Sequence, residues 1–300
     1  MDVGVIGTGI MGKNHARIYS ELKNVNVLSV YDIDTESAQK VADQYDAEVY
    51  TSLKDLLEHS DAVNVCVPTQ YHSKVVNQVF EMKKSVLIEK PICNTTVEAR
   101  ELMRNAPHGV LIGVGHIERF NPIITEIKKI MRKPLYIEMK RHNPASSRVT
   151  GSTVVEDLMI HDIDIMIHAF FLPPTEIHST GNDDVRNVIM RCGSVPVSLS
   201  ASRKSSKKIR TVYIEEEDFT IEGDFMSQEI TIYSKPDRYD IEADRYVQEN
   251  IIEKVLVNKS EPLKIELSAF IDCVKNNIQF PISPYQAIRN LEICERILGE

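Results

Sequence analysis

The sequence predicts an α/β protein in two parts. Residues 1–118 read as a doubly wound parallel sheet, and residues 119–300 as a second α/β domain built on a mostly antiparallel sheet. Three observations predict this. An apolar run at 3–6 turns through glycines into a helix. Runs of β-branched residues then alternate with amphipathic stretches as far as residue 115, the pattern of parallel strands joined by crossovers. Beyond residue 134 the strand-like segments follow one another through short turns, as antiparallel neighbours do.

The first strand, 3–6, ends at Gly7-Thr8-Gly9-Ile10-Met11-Gly12, and a helix over 11–22 follows. Gly7 permits the tight bend. Gly9 lets a pyrophosphate reach the backbone, and Gly12 lets the helix lie close to the strand. The free N–H groups at the helix start face the phosphate charge. The next strand, 25–31, ends in Asp32, twenty positions after Gly12, where a carboxylate can bind ribose hydroxyls. Together these parts predict a dinucleotide site. The plain alternative is a glycine turn in an ordinary α/β fold.

Further strands are expected at 49–50, 62–67, 85–89 and 110–114, with helices at 35–45, 53–59, 73–82 and 95–105. Ligands of such sheets bind beyond the carboxyl ends of the strands. Pro68-Thr69-Gln70-Tyr71-His72 follows one strand end. Pro68 stops the strand, and Thr69 lies where it can touch the dinucleotide. His72 could be a base or metal ligand, or a capping or packing histidine. Glu89-Lys90-Pro91 follows another. Pro91 restricts Lys90, and an X–Pro bond here could be cis. An ammonium at this place can hold a substrate hydroxyl and share in proton transfer. The alternative is a surface lysine beside a turn.

Near residue 115 the pattern changes. Glu118-Arg119-Phe120-Asn121-Pro122 leads into a helix over 123–131, which Asn121 is placed to cap. Arg119 can bind a phosphate or pair with a carboxylate. Strands are expected at 135–141, 185–191, 196–202, 209–215, 219–223 and 229–233, and closing helices at 262–274 and 283–298. One helix, 153–170, interrupts the sheet. It carries Asp157 and His161 at i and i+4, on one helical face. A carboxylate there can orient an imidazole and stabilise its protonated form, which suits a general base. The alternative is a surface ion pair, although the apolar residues around most of the helix predict burial. Asp162 and Asp164 are expected to be solvated or to cap neighbouring backbone, with a direct role in chemistry as the alternative.

A net charge of −9 argues against nucleic acid as the main partner. Arg203, Lys204, Lys207, Lys208 and Arg210 form one basic cluster, read as a solvated loop or hairpin, with a binding site as the alternative. The first strand starts so early that no signal peptide fits, and no apolar run could span a bilayer, so a cytoplasmic protein without a membrane partner is expected. Five scattered cysteines without zinc spacing suggest reduced, mostly buried thiols and no metal site.

The glycine turn, Glu89-Lys90-Pro91 and Asp157-x-x-x-His161, in this order and spacing, resemble the glucose–fructose oxidoreductase/inositol dehydrogenase/rhizopine-catabolism (Gfo/Idh/MocA) family along essentially the whole chain. The resemblance implies an N-terminal Rossmann domain and a C-terminal α/β domain whose large open sheet often mediates homo-oligomer contacts, here a homodimer or homotetramer. It implies oxidation of a secondary sugar or cyclitol hydroxyl with NAD. Lys90, Asp157 and His161 would be catalytic. The implied cofactor-binding residues are Gly7, Thr8, Gly9, Ile10, Met11, Gly12, Asp32, Pro68, Thr69, His72, Glu89 and Lys90. Substrate would meet Lys90, Arg119, Asn121, Asp157 and His161. The segments 115–122 and 157–164 look most like a subgroup that oxidises UDP-N-acetylglucosamine at the sugar 3-hydroxyl. Val154-Val155-Glu156 departs from the glycines many relatives have before the helix. Asp32 and Asp34, with no arginine adjacent, favour NAD over NADP. The other readings are a free-sugar or inositol dehydrogenase, a redox-neutral NAD-dependent hydrolase or epimerase, and a non-catalytic NAD or sugar sensor.

Overall fold

Six parallel strands make the first sheet of the computed structural model, which describes residues 1–144, 151–235, 239–242, 245–248 and 251–299. In chain order the elements are β1 (Asp2–Ile6), α1 (Ile10–Glu21), β2 (Val27–Tyr31), α2 (Thr35–Tyr45), β3 (Glu48–Val49), α3 (Leu53–His59), β4 (Ala62–Val65), α4 (His72–Glu81), β5 (Ser85–Glu89), α5 (Thr96–Arg104) and β6 (Ile112–Gly115). The strand order is β3-β2-β1-β4-β5-β6. It reverses direction beside β1, where doubly wound sheets bind their ligands. β4 is buried along its whole length and β5 after its first residue, because crossover helices cover both faces. Side-chain caps start three of these helices: Asp34 for α2, Ser52 for α3 and Thr95 for α5, each accepting from amides of the first turn.

The second sheet has eight strands. Its unit opens with α6 (Pro122–Ile130) and β7 (Tyr136–His142). A helical stretch follows: π-helical Val155–Met159, α7 (Ile160–Asp164) and π-helical Ile165–Ala169. Then come β8 (Glu176–Gly181), β9 (Val185–Cys192), β10 (Val195–Ser202), β11 (Ile209–Glu215), β12 (Phe219–Asp224), β13 (Glu229–Ser234), the hairpin β14 (Tyr239–Glu242) and β15 (Arg245–Gln248), and β16 (Ile251–Val255). The sheet order is β16-β13-β12-β11-β7-β10-β9-β8. All neighbours are antiparallel except β7 and β10. Burial alternates along the strands, as in β10, where Val197, Leu199 and Ala201 face the core. α6 packs there closely: a side chain at Gly223 would lie 3.2 Å from Ile127 Cδ1.

Two last helices, α8 (Pro262–Asn276) and α9 (Pro284–Leu298), close the chain. One compact unit comprises Met1–Phe120 with Glu261–Glu292, the other Asn121–Ser260 with Ile293–Glu300. The expected single division, 1–118 and 119–300, places α8 in the second part. Its apolar stripe, Leu267, Phe270 and Ile271, instead packs in the first unit, where Phe270 and Phe280 rings meet edge-on and Phe280 also meets Phe120. Strands β8, β14, β15 and β16 add to those expected from the sequence. Among the described residues no helix is long and apolar enough to cross a membrane.

Candidate active site

The glycine turn has the geometry of a phosphate cradle. Gly7 has φ +93°, and a side chain there would strike the Val67 amide at 2.8 Å. A side chain at Gly12 would lie 1.7 Å from the Gly7 carbonyl oxygen, which forces helix and turn together. Gly9 faces open space, with nothing within 4 Å of where its Cβ would be. It starts α1 without a side-chain cap, and no acidic residue stands in the first turn. The helix-start amides are therefore left to a ligand, and their partial positive charge suits a pyrophosphate. Ile10 and Met11 continue the turn, Ile10 mostly exposed.

Asp32 lies at the carboxyl end of β2. Its Oδ2 accepts from the Thr8 amide at 2.6 Å and the Thr8 hydroxyl at 3.0 Å, and its Oδ1 from the Asp34 amide at 3.0 Å. This aims the carboxylate at the glycine turn, and Oδ1, with one donor, keeps a lone pair for a ribose hydroxyl. Asp34 itself is the α2 cap. The residues present thus fit NAD by turn geometry, open amides and an acidic group. Pro68 is exposed, and Thr69 opens a short 3₁₀ turn beyond β4. Lys90 follows β5, half-buried, and the Lys90–Pro91 bond is cis. Gly turn, Asp32, Thr69 and Lys90 therefore gather at the carboxyl ends of four adjacent strands: β2, β1, β4 and β5.

His72 takes the packing alternative. It is buried, with Nδ1 3.0 Å from the Pro91 carbonyl oxygen and Nε2 2.9 Å from that of Val67. Burial pushes its pKa down against the opposing pull of those carbonyls. It holds the two loops together from beneath, and its side chain is not presented to a ligand.

Asp157 and His161 both stand half-buried on the helical stretch between β7 and β8. The π turn here carries i→i+5 bonding, with the Ile160 amide donating to the Val155 carbonyl. The expected i,i+4 pair thus sits where a wide turn meets α7. His161 Nδ1 is sealed from solvent. Neither neighbouring aspartate is solvated. Asp162 Oδ1 accepts from Arg141 Nε at 3.0 Å and Nη2 at 2.7 Å, both residues about 1% exposed, while Arg141 lies over the Phe225 ring. Asp164 is equally buried.

Arg119 and Asn121 fall in different units. Arg119 Nη1 donates to Gln286 Oε1 at 2.9 Å. Asn121 is buried; its Oδ1 caps α6 at the Ile123 amide and its Nδ2 donates to the Phe225 carbonyl at 3.0 Å. Its carboxamide is committed to the fold. In the basic cluster, Arg203 is buried and not solvated. It donates to the Ser152 and Asp183 carbonyls at 2.7 and 2.9 Å, tying down the approach to the helical stretch. Sequence reasoning passed over His15, whose Nε2 lies 2.9 Å from Glu89 Oε1. The available signal was a polar residue on the Gly12–Ala16–Tyr19 stripe of α1, the stripe that packs inward.

Comparison with known proteins agrees with this geometry. Residues 1–116 match the family described as an oxidoreductase family with an NAD-binding Rossmann fold. The chain is 30% identical over 244 residues to UDP-N-acetylglucosamine 3-dehydrogenase of Acidithiobacillus ferrooxidans, covering 78% of this chain and 77% of that one. An inositol 2-dehydrogenase of Serratia proteamaculans is 28% identical over 55% of this chain, and the match spans 53% of its own length. The solved structure of the Acidithiobacillus ferrooxidans enzyme superposes with a TM-score of 0.89 at 26% identity, covering 99% of this chain and 96% of that one. The chain belongs to the Gfo/Idh/MocA family of NAD-binding oxidoreductases.

Proposed function

We propose that the protein oxidises the 3-hydroxyl of the sugar in UDP-N-acetylglucosamine. The observation that supports this substrate is the extent of similarity: 78% of the chain aligns with a UDP-N-acetylglucosamine 3-dehydrogenase, against 55% with an inositol dehydrogenase. Bound NAD supplies the hydride acceptor. Lys90 Nζ donates a hydrogen bond to the reacting hydroxyl oxygen and stabilises its developing negative charge. His161, whose Nδ1 is sealed from solvent, takes the hydroxyl proton at Nε2, and the Asp157 carboxylate favours the imidazolium that results. Asp32 binds the adenosine ribose and repels a 2′-phosphate, which selects NAD over NADP. A second copy of the chain covers the open face of the eight-stranded sheet, where Ile189 and Ile252 are more than half exposed.

The test mixes the protein with NAD and UDP-N-acetylglucosamine and follows NADH absorbance, with 2-oxoglutarate in a parallel sample to recycle NADH held in place. A substrate-dependent rise, or turnover only with the keto acid, is expected. No turnover in either sample, with NAD binding intact, rejects the nucleotide sugar and turns the screen to inositols and free sugars. His161→Ala and Lys90→Ala are each expected to lose at least about 100-fold in turnover while binding NAD nearly as before. Near-wild-type turnover in both removes these residues from the mechanism. Sedimentation at micromolar concentration separates monomer, dimer and tetramer.

A further inference from the structure

A polar chain runs through the core of the first unit beneath the glycine turn. The Tyr19 hydroxyl donates to Asn64 Oδ1 at 2.8 Å. The Asn64 amide then faces His15 Nδ1 at 2.7 Å, so the imidazole carries its proton on Nε2, toward Glu89 Oε1 at 2.9 Å. The other Glu89 oxygen accepts the Lys90 amide at 3.1 Å. His15, Asn64 and Glu89 are each less than a tenth exposed. Apolar residues would fill this space more simply, since buried polar groups stabilise only when every partner is in place. The fold also makes room for the carboxylate: a side chain at Gly115 on β6 would lie 3.3 Å from Glu89 Oε1.

We propose that Glu89 and His15 are positioning residues that lock the main chain at Lys90 to helix α1, so that the lysine and the glycine turn keep one register. The proposal rests on the reading above that Lys90 acts on the substrate. Glu89 is suited to the task because it receives two donors at once, one on each oxygen. A glutamine offers one acceptor, and its NH2 must face either His15 Nε2–H or the Lys90 N–H. His15 in turn belongs to the helix whose first turn faces the dinucleotide phosphates. A displacement of about 1 Å at a reacting group costs on the order of 100-fold in rate, which gives the link its leverage.

Amide hydrogen exchange at Lys90 and steady-state kinetics with NAD and UDP-N-acetylglucosamine test this together. Glu89→Gln and His15→Leu are expected to raise exchange of the Lys90 amide at least about tenfold, and to lower kcat roughly 10- to 100-fold with the Kd for NAD within about threefold. His15→Gln, which keeps an N–H for Glu89, is expected to restore most of both. If Glu89→Gln does not fold, Glu89→Asp keeps the charge but shortens the reach, and the same two readouts apply. Unchanged Lys90 exchange in Glu89→Gln (or Glu89→Asp) and His15→Leu overturns the proposal. Losses in kcat that His15→Gln does not relieve, or that track only weaker NAD binding, do so too. Lys90→Ala measured alongside separates the two ideas: wild-type turnover in that variant rejects the role of Lys90, while the exchange data still report on the lock.

Discussion

Asp32 holds the glycine turn through the amide and hydroxyl of Thr8, so replacing it acts on the turn and on the ligand at once. Asp32→Ala is expected to weaken NAD binding by roughly 10- to 100-fold, the loss of one or two hydrogen bonds to a charged group, and to narrow the gap between NAD and NADP. Calorimetric titration of both cofactors checks this; equal affinities in the unaltered protein contradict the discrimination assigned to Asp32. His72 supports a pH prediction. Its pKa lies below the usual histidine value, so the unfolded chain takes a proton that the folded one refuses. The stability it brings is complete above about pH 6.5 and is lost as pH falls through and below that value, by up to about 1.4 kcal/mol per pH unit. Urea unfolding between pH 7.5 and 5.5 should show this slope shrink in His72→Asn. An unchanged slope means His72 is not the group responsible. Local spacing made the placement of the glycine turn, Asp32 and Lys90 just past strand ends legible. His15 and Glu89 were not legible as a pair, for they are 74 positions apart and only the packing of α1 against the sheet brings His15 to the end of β5.

The helical stretch bearing Asp157 and His161 is anchored to its sheet by the buried ion pair of Arg141 on β7 and Asp162 on α7. Removing one partner of such a pair strands a charge without solvent. Arg141→Met is therefore expected to cost about 3–5 kcal/mol, and the double change Arg141→Met with Asp162→Leu much less, within about 1–2 kcal/mol of the parent. Denaturant titration of the parent, Arg141→Met, Asp162→Leu and the double variant decides it; a loss in the double variant equal to the sum of the two single losses means that the pair is not coupled. Periodicity gave the existence and burial of this stretch. It gave neither the π turns at its two ends nor the partner of Asp162, since a charge on an apolar helix does not say which strand will answer it. The edge strands were hidden for a different reason. β8 carries a single apolar residue, Ile177, and β16 is mostly exposed, so neither shows the alternation of a half-buried strand.

The final helices show how much of the architecture lies beyond local pattern. The stripe Leu267, Phe270 and Ile271 announces an inward face on α8. It is equally compatible with either core, and only long-range packing assigns it to the first unit. A fragment of residues 1–120 lacks these side chains and Phe280. Each fully buried large apolar side chain contributes about 1.5–3 kcal/mol, so the fragment should unfold at lower temperature and less cooperatively than the same fragment joined by a short linker to residues 261–292. Circular dichroism melts compare them, and identical cooperative transitions would show that the segment is dispensable.

This interleaving also has a consequence for biosynthesis. A ribosome that has just released residue 120 has made every strand of the first sheet, yet the helix that seals that core emerges only with residues 261–292. At about 5–20 residues per second the nascent strands wait roughly ten to thirty seconds with an apolar surface uncovered. Through that interval the newborn chain is a natural client for a chaperone, and its first-translated half is among the last parts to be finished.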